Sequence, residues 1–155
     1  ARVTPFITSL GILFVLAGAL AVSAQAFGLA SLFNKYKEVE PTAGAISVDI
    51  NTVNDGKAHF FTYNGNNREI NFFVVKSADG VIRAAFDACD VCFESKKGYS
   101  QEGQYMVCNN CGRKFHSNRI NVIKGGCNPA PLQRVERDGN LVIRVKDVMQ
   151  GARYF

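Results

Sequence analysis

The first thing that the sequence lacks is charge near its start, because no Asp, Glu, Lys or Arg occurs in residues 3–34. Nearly all charged residues follow this segment, so the 155-residue chain divides into two parts of different character. A chain of this length has room for one domain and one extra element, but not for two full hydrophobic cores.

Features of several functional classes are also missing. The net charge of +5 is scattered, without a basic stripe interleaved with aromatic residues, which argues against nucleic-acid binding. The sequence has no nucleophile–base arrangement and no phosphate-binding loop, which argues against a hydrolase or a transferase. We therefore expect no catalytic residues.

Residues 5–33 form an unbroken apolar run. As a helix rising ~1.5 Å per residue, the run exceeds the ~30 Å hydrocarbon core of a bilayer, so we predict a hydrophobic anchor helix over residues 1–34 that crosses a membrane. A cleavable secretory signal is the alternative, because Ala24-Gln25-Ala26 resembles a small-x-small cleavage site. The length of the run favours a retained anchor.

Small residues recur one turn apart in this segment, as at Ala17 and Ala21, which would let another helix approach closely. We therefore expect the helix to permit self-association. A pilin-like filament subunit, with the apolar helices packed in the filament core, stays open as an alternative function.

The remainder of the chain has the pattern of a β domain. Residues 35–44 mix charge with Pro41 and Gly44, which indicates a short linker. Short runs rich in β-branched and aromatic residues then predict strands at residues 45–51, 57–63, 70–76, 81–86 and 141–148. Turns are predicted between several of them, at Asp55-Gly56, Asn64-Gly65, Asp79-Gly80 and Asp138-Gly139. The predicted fold class is mainly β: one N-terminal hydrophobic α-helix followed by a small antiparallel β domain over residues 45–155.

All the cysteines of the chain fall between residues 89 and 127. Two C-x-x-C pairs and one later cysteine make up the set: Cys89, Cys92, Cys108, Cys111 and Cys127. Each pair can fold as a tight knuckle that directs two sulfurs to one point, so two pairs at this distance strongly indicate a four-thiolate metal site. A structural zinc ion and an iron–sulfur centre both fit this pattern.

Other cysteine chemistry fits less well. Disulfides are reasonable in an extracytoplasmic domain, but the number of cysteines is odd, and C-x-x-C bridges are more often redox-active than structural. Phe93 and Gly112 stand where covalent haem attachment needs histidine. No βαβ context for thioredoxin-like chemistry is present.

Two residues have roles that the pattern leaves open. Cys127 lies in a Gly-Gly-Cys-Asn-Pro segment, and it could replace one of the four paired cysteines, bind a second metal or remain a buried thiol. We expect it in or beside the site, because the glycines allow close backbone approach. His116 is a weaker candidate ligand, and a partly exposed loop histidine is the better interpretation.

The order of features from Cys108 onward resembles the second cluster-binding half of Rieske-type domains. Cys108 and Cys111 take the paired ligand positions, residues 125–131 take the covering loop, and Asp138-Gly139 makes the closing hairpin. Cysteines stand where Rieske centres use histidines. The resemblance implies Rieske-like cysteine loops, with a lower potential than His-ligated centres have.

A denser resemblance covers roughly residues 46–155. Both C-x-x-C pairs, the Lys96-Lys97-Gly98-Tyr99 segment and the loop at residues 125–132 make the chain similar to the FtrD-like family of membrane iron–sulfur proteins. The resemblance implies a membrane-anchored electron-transfer protein with an extracytoplasmic domain, periplasmic or at the cell surface. It also implies redox partner proteins, such as an iron permease or oxidase system. A structural zinc module is the alternative from another class.

Overall fold

The structure, a computed structural model, describes residues 34–155, and the hydrophobic anchor helix predicted over residues 1–34 lies outside this part except for residue 34. The described residues from Lys35 to Phe155 form one compact unit. Within this part of the chain, no helix has the length and apolar character needed to cross a bilayer.

The described residues form short strands and shorter helical segments, as the composition predicts. The strands are β1 (Lys37–Glu38), β2 (Ala45–Asp49), β3 (Ala58–Gly65), β4 (Arg68–Lys76), β5 (Ile82–Phe86), β6 (Tyr99–Glu102), β7 (Tyr105–Cys108), β8 (Lys114–His116), β9 (Val135–Arg137) and β10 (Asn140–Arg144). One α-helix, α1, covers Val145–Met149, and 3-10 segments cover Ile50–Thr52, Phe93–Ser95, Ser117–Arg119 and Gln150–Tyr154. The mainly β fold class is confirmed for this part of the chain.

The strands build three small sheets. The first has the order β1-β3-β4-β5, with β1 parallel to β3 and the other pairs antiparallel. The second has the order β2-β10-β9, and the third has the order β6-β7-β8, both fully antiparallel. Strand β1 lies within residues 35–44, so the segment predicted as a linker contributes an edge strand to the first sheet.

Strand β4 connects two hydrophobic cores, because successive side chains of a strand point to opposite faces. Phe72 and Val74 pack in a core with residues of the second sheet, such as Leu141. Phe73 and Val75 pack on the other face, in a core that includes Cys89, Cys108 and Cys127. The first sheet therefore lies between a purely structural core and the core that carries the cysteines.

The turns match the predictions in part. Asp79-Gly80 lies in the turn between β4 and β5, and Asp138-Gly139 joins β9 to β10 with positive φ at both residues. The β3–β4 turn is made by Asn66 and Asn67, at φ 50° and 58°, because Gly65 remains in the strand. Asparagine tolerates this left-handed conformation, so the prediction of a turn at Asn64-Gly65 was wrong by two residues.

The final predicted strand is also shorter than expected. Residues 141–148 were predicted as one strand, but β10 ends at Arg144 and α1 begins at Val145. The peptide N–H of Val145 donates to the carbonyl of Gly44, and Arg144 forms an ion pair with the buried Asp147 at 2.6 Å. Val148 then turns into the structural core, where it is fully buried.

Replacing the core residue Phe72 tests the role of β4. Phe72 is fully buried and stacks on Phe61 with ring centroids 5.5 Å apart. We expect Phe72→Ala to lower the free energy of unfolding by about 3–5 kcal/mol, measured by chemical denaturation of the full chain. Val135→Ala is the control, because Val135 is mostly exposed in β9, and its effect should stay within about 0.5 kcal/mol. Equal losses in both variants would contradict this assignment of the core.

Candidate metal centre

The five cysteines reach one region from three parts of the fold. Cys89 follows the end of β5, and Cys92 directly precedes the 3-10 segment Phe93–Ser95. Cys108 ends β7, and Cys111 lies in the connection between β7 and β8. Cys127 comes from the loop before β9. The third sheet, whose strands the sequence analysis missed, therefore positions half of the paired cysteines.

The sulfurs of these cysteines form two groups of three. The Sγ atoms of Cys89, Cys92 and Cys127 lie within 4.8 Å of one another, and so do those of Cys92, Cys108 and Cys111. Cys92 belongs to both groups, and its Sγ lies 3.9 Å from that of Cys127. All five cysteines are free thiols, so the disulfide alternative has no support in this geometry.

Backbone N–H groups turn toward the sulfurs in both C-x-x-C segments. The N–H of Cys92 donates to the Sγ of Cys89 at 3.2 Å. The N–H groups of Asn110 and Cys111 hydrogen-bond the Cys108 sulfur, and the N–H of Gly112 donates to the Cys108 carbonyl at 2.8 Å. Gly112 has φ of 71°, the left-handed conformation that favours glycine, so the residue after the second pair lets this turn close.

The loop that carries Cys127 is fixed to β5 and to its neighbours. The N–H of Phe86 donates to the carbonyl of Ala130 at 2.8 Å, and the N–H of Ala130 donates to the carbonyl of Ala88 at 2.9 Å. The hydroxyl of Tyr99 donates to the carbonyl of Cys127 at 2.6 Å. The loop therefore places Cys127 beside Cys89 and Cys92.

Burial and hydrogen bonding give the thiols different acidities. Burial raises the pKa of Cys108 to about 11 and that of Cys127 to about 12. The backbone N–H of Arg113 stabilises the Cys111 thiolate and lowers the pKa of that thiol. Cys111 is also exposed, whereas Cys89, Cys108 and Cys127 are buried. The centre therefore has a sheltered side and one thiol at the protein surface.

A buried carboxylate holds the segment that leads into the first C-x-x-C pair. Asp87 lies two residues before Cys89, and its side chain is fully buried. It accepts hydrogen bonds from the ammonium of Lys35, the hydroxyl of Tyr36 and the N–H of Tyr99, at 2.5 to 2.6 Å. No motif in the sequence predicts this contact, because the three donors come from distant parts of the chain.

Gly98 completes the enclosure of the same carboxylate. A Cβ at Gly98 would come within 2.6 Å of the Asp87 carboxyl carbon, and the φ of +60° also favours glycine. The Lys35 ammonium also donates to the Tyr99 carbonyl at 2.8 Å and lies 4.1 Å from the Phe60 ring centroid. The Asp87 charge is thus paired and hydrogen-bonded, as a buried charge requires.

His116 belongs to neither group of sulfurs, and it ends strand β8 instead of lying in a loop as the sequence analysis expected. Its Nε2 is 3.1 Å from the side-chain oxygen of Gln104, and its Nδ1 accepts from the N–H of Asn118 at 3.2 Å. Its ring packs edge-on against Tyr105. Neither group of three sulfurs includes it.

Aromatic side chains enclose the buried side of the centre, and a cleft opens beside it. Tyr99 is fully buried and packs against Phe73 and Phe115. A cleft of about 630 Å³ is lined in part by Cys89, Cys92 and Cys108. Small ions can therefore reach the sulfurs from the cleft side even though most of the cysteines are buried.

The donor set fits a soft metal or an iron–sulfur centre. Closely spaced thiols are the ligands of zinc and of iron–sulfur clusters, and the paired knuckles supply backbone N–H groups to the sulfurs. Fold and site together define a small β domain with a cluster of five free thiols that could hold metal.

Comparison with known families gives a more specific result. Residues 53–155 match the family described as membrane iron-sulfur containing protein FtrD-like. The chain belongs to this FtrD-like family, and the resemblance noted from the cysteine motifs is confirmed. Searches of curated proteins and of solved structures each found no match, so the Rieske-like layout stays a prediction.

Alkylation of the metal-free protein tests the difference between the thiols. We expect iodoacetamide at neutral pH to modify Cys111 first, because it is exposed and its lowered pKa gives it the larger thiolate fraction. Cys108 and Cys127 should react at least tenfold more slowly, as followed by peptide mass mapping. A faster reaction at Cys127 would contradict the described burial.

Removing the charge of Asp87 tests its supporting role. Asp87→Asn keeps the shape but weakens the contacts to Lys35 and Tyr36, so we expect unfolding to become easier by about 1–3 kcal/mol. A chelator should also remove bound metal faster from this variant. Asp138→Asn serves as the control, because Asp138 lies in an exposed turn, and both measurements should stay at the wild-type level. A wild-type result for Asp87→Asn would show that the contact has no supporting role.

Proposed function

We propose that this protein is a membrane-anchored electron carrier that holds a cysteine-ligated iron–sulfur centre and transfers single electrons without catalysing a reaction itself. The observation that carries the proposal is the convergence of five free thiols, of which only Cys111 is exposed. Such a centre is enclosed by the protein on one side and reaches solvent at Cys111 and along the neighbouring cleft.

The bound centre would supply a reversible one-electron change, and the residues around it have separate tasks. Backbone N–H groups near Cys89 and Cys108 stabilise negative charge on the sulfurs. Tyr99 and Phe115 exclude water from the buried side. Since burial and hydrogen bonding to sulfur both tune reduction potential, these residues set the potential.

The surface around the exposed thiol favours a partner with negative charge. Val91, in the first knuckle, is 63% exposed and gives an apolar contact point. Exposed cations lie on the segments that carry the cysteines: Lys96, Lys97, Arg113, Lys114, Arg119 and Lys124. Exposed cations on the cysteine-bearing segments suit a redox protein with an acidic docking face.

The cellular role follows from the family description and from the sequence. We propose that the domain lies on the extracytoplasmic side and exchanges electrons with a membrane system for iron uptake or respiration. The description of the family as membrane iron–sulfur proteins supports the membrane setting. The filament alternative depends on residues 1–33, outside the described part, and stays a prediction.

Spectroscopy of the anaerobically purified full chain tests the proposal. We expect visible absorption bands that bleach on reduction and a paramagnetic signal in one oxidation state. Cys108→Ser should lose at least half of this signal, whereas Val91→Ala, which changes no sulfur, should keep it. A colourless protein that contains zinc and shows no redox change would refute the iron–sulfur proposal and leave the zinc module as the function.

A further inference from the structure

The arrangement of the sulfurs differs from one four-cysteine site. The sequence pattern places Cys89, Cys92, Cys108 and Cys111 around a single metal. In the structure these four do not form one mutually close group, because Cys89 groups with Cys92 and Cys127 instead. Cys127, the fifth cysteine, is therefore a member of one of the two sulfur groups.

Each group of three sulfurs has the size of a metal position. A metal at the centre of a triangle with 4.8 Å sides would lie about 2.8 Å from each sulfur, and a small inward movement would give the ~2.3 Å typical of zinc–thiolate bonds. Two such triangles meet at Cys92. A thiolate has several lone pairs, so one sulfur can contact two metals.

The loop geometry indicates that Cys127 is placed for this role. Ala130 is hydrogen-bonded to β5 and to Ala88, and the Tyr99 hydroxyl holds the Cys127 carbonyl. The Cys127 sulfur is buried and lies 3.9 Å from that of Cys92. These contacts come from three elements, and together they fix the Cys127 sulfur beside that of Cys92, where it also interacts with the Cys111 sulfur.

Charge favours two metals over one. Five thiolates around a single divalent ion would leave three negative charges in largely buried surroundings, which is costly without partners. Two divalent ions would neutralise most of this charge. Within the described residues, Lys35 is already paired with Asp87 and offers no compensation to the sulfurs.

We propose that the five cysteines form one centre with two metal positions, the first held by Cys89, Cys92 and Cys127 and the second by Cys92, Cys108 and Cys111. Cys92 is the ligand that both positions share. This inference rests on the proposed function only in placing the metal at the cysteine cluster, and it specifies the number of metals and the role of each sulfur.

Cobalt titration of the metal-free full chain tests the number of positions. The thiolate-to-cobalt absorption should saturate at two equivalents per chain in the wild type. Cys127→Ser and Cys111→Ser each remove a ligand from one position only, so both should saturate at one equivalent. Cys92→Ser should weaken binding at both positions at least tenfold. Val91→Ser, in the same knuckle as Cys92 but without a sulfur change, should keep two equivalents.

Metal analysis of the protein as isolated gives an independent count, and circular dichroism shows whether each variant is folded. Native mass spectrometry of the wild type should find two metal ions per chain, a result that does not depend on any variant. One or four ions per chain, or two equivalents of cobalt retained in folded Cys127→Ser, would overturn the inference. Two zinc ions per chain would uphold the two-position inference and refute the iron–sulfur function. A single-iron or four-iron centre would overturn the two-position inference and leave the iron–sulfur function in place.

Discussion

The alternation of side chains along β4 is the constraint on which the rest of the described structure depends. Phe72 and Val74 face one core while Phe73 and Val75 face the other, so one strand fixes the distance between the structural core and the cysteine core. A slip of one residue in the pairing of β4 would exchange the two faces and displace the start of the cysteine region. The positions of the cysteines therefore depend on the hydrophobic pattern of β4.

The parts of the fold that sequence reasoning could predict are those with strong local signals. Short runs of β-branched and aromatic residues located β3, β4 and β5, and Asp138-Gly139 located the last hairpin. The third sheet was missed because β6 and β8 are short, polar and partly exposed, and their pairing with β7 is a tertiary effect. A propensity pattern cannot show a strand that depends mainly on its neighbour.

The site was predictable in composition but not in arrangement. Spacing identified the cysteines, since two residues between ligands are a local property of a knuckle. The grouping of Cys89 with Cys127 depends on hydrogen bonds between β5 and a loop more than 35 residues away, as the separation of Phe86 and Ala130 shows. The role of Asp87 was hidden for the same reason, because its donors Lys35 and Tyr99 lie far from it in sequence.

The contact between Lys35 and Asp87 also attaches the start of residues 35–44 to the folded domain. Lys35 is held to the peptide that leads into Cys89, and Lys37–Glu38 is held to β3, so residues 35–44 add no free length between residue 34 and the sulfurs. Residues 35–44 are therefore part of the folded domain and do not act as a flexible tether between Lys35 and the cysteines.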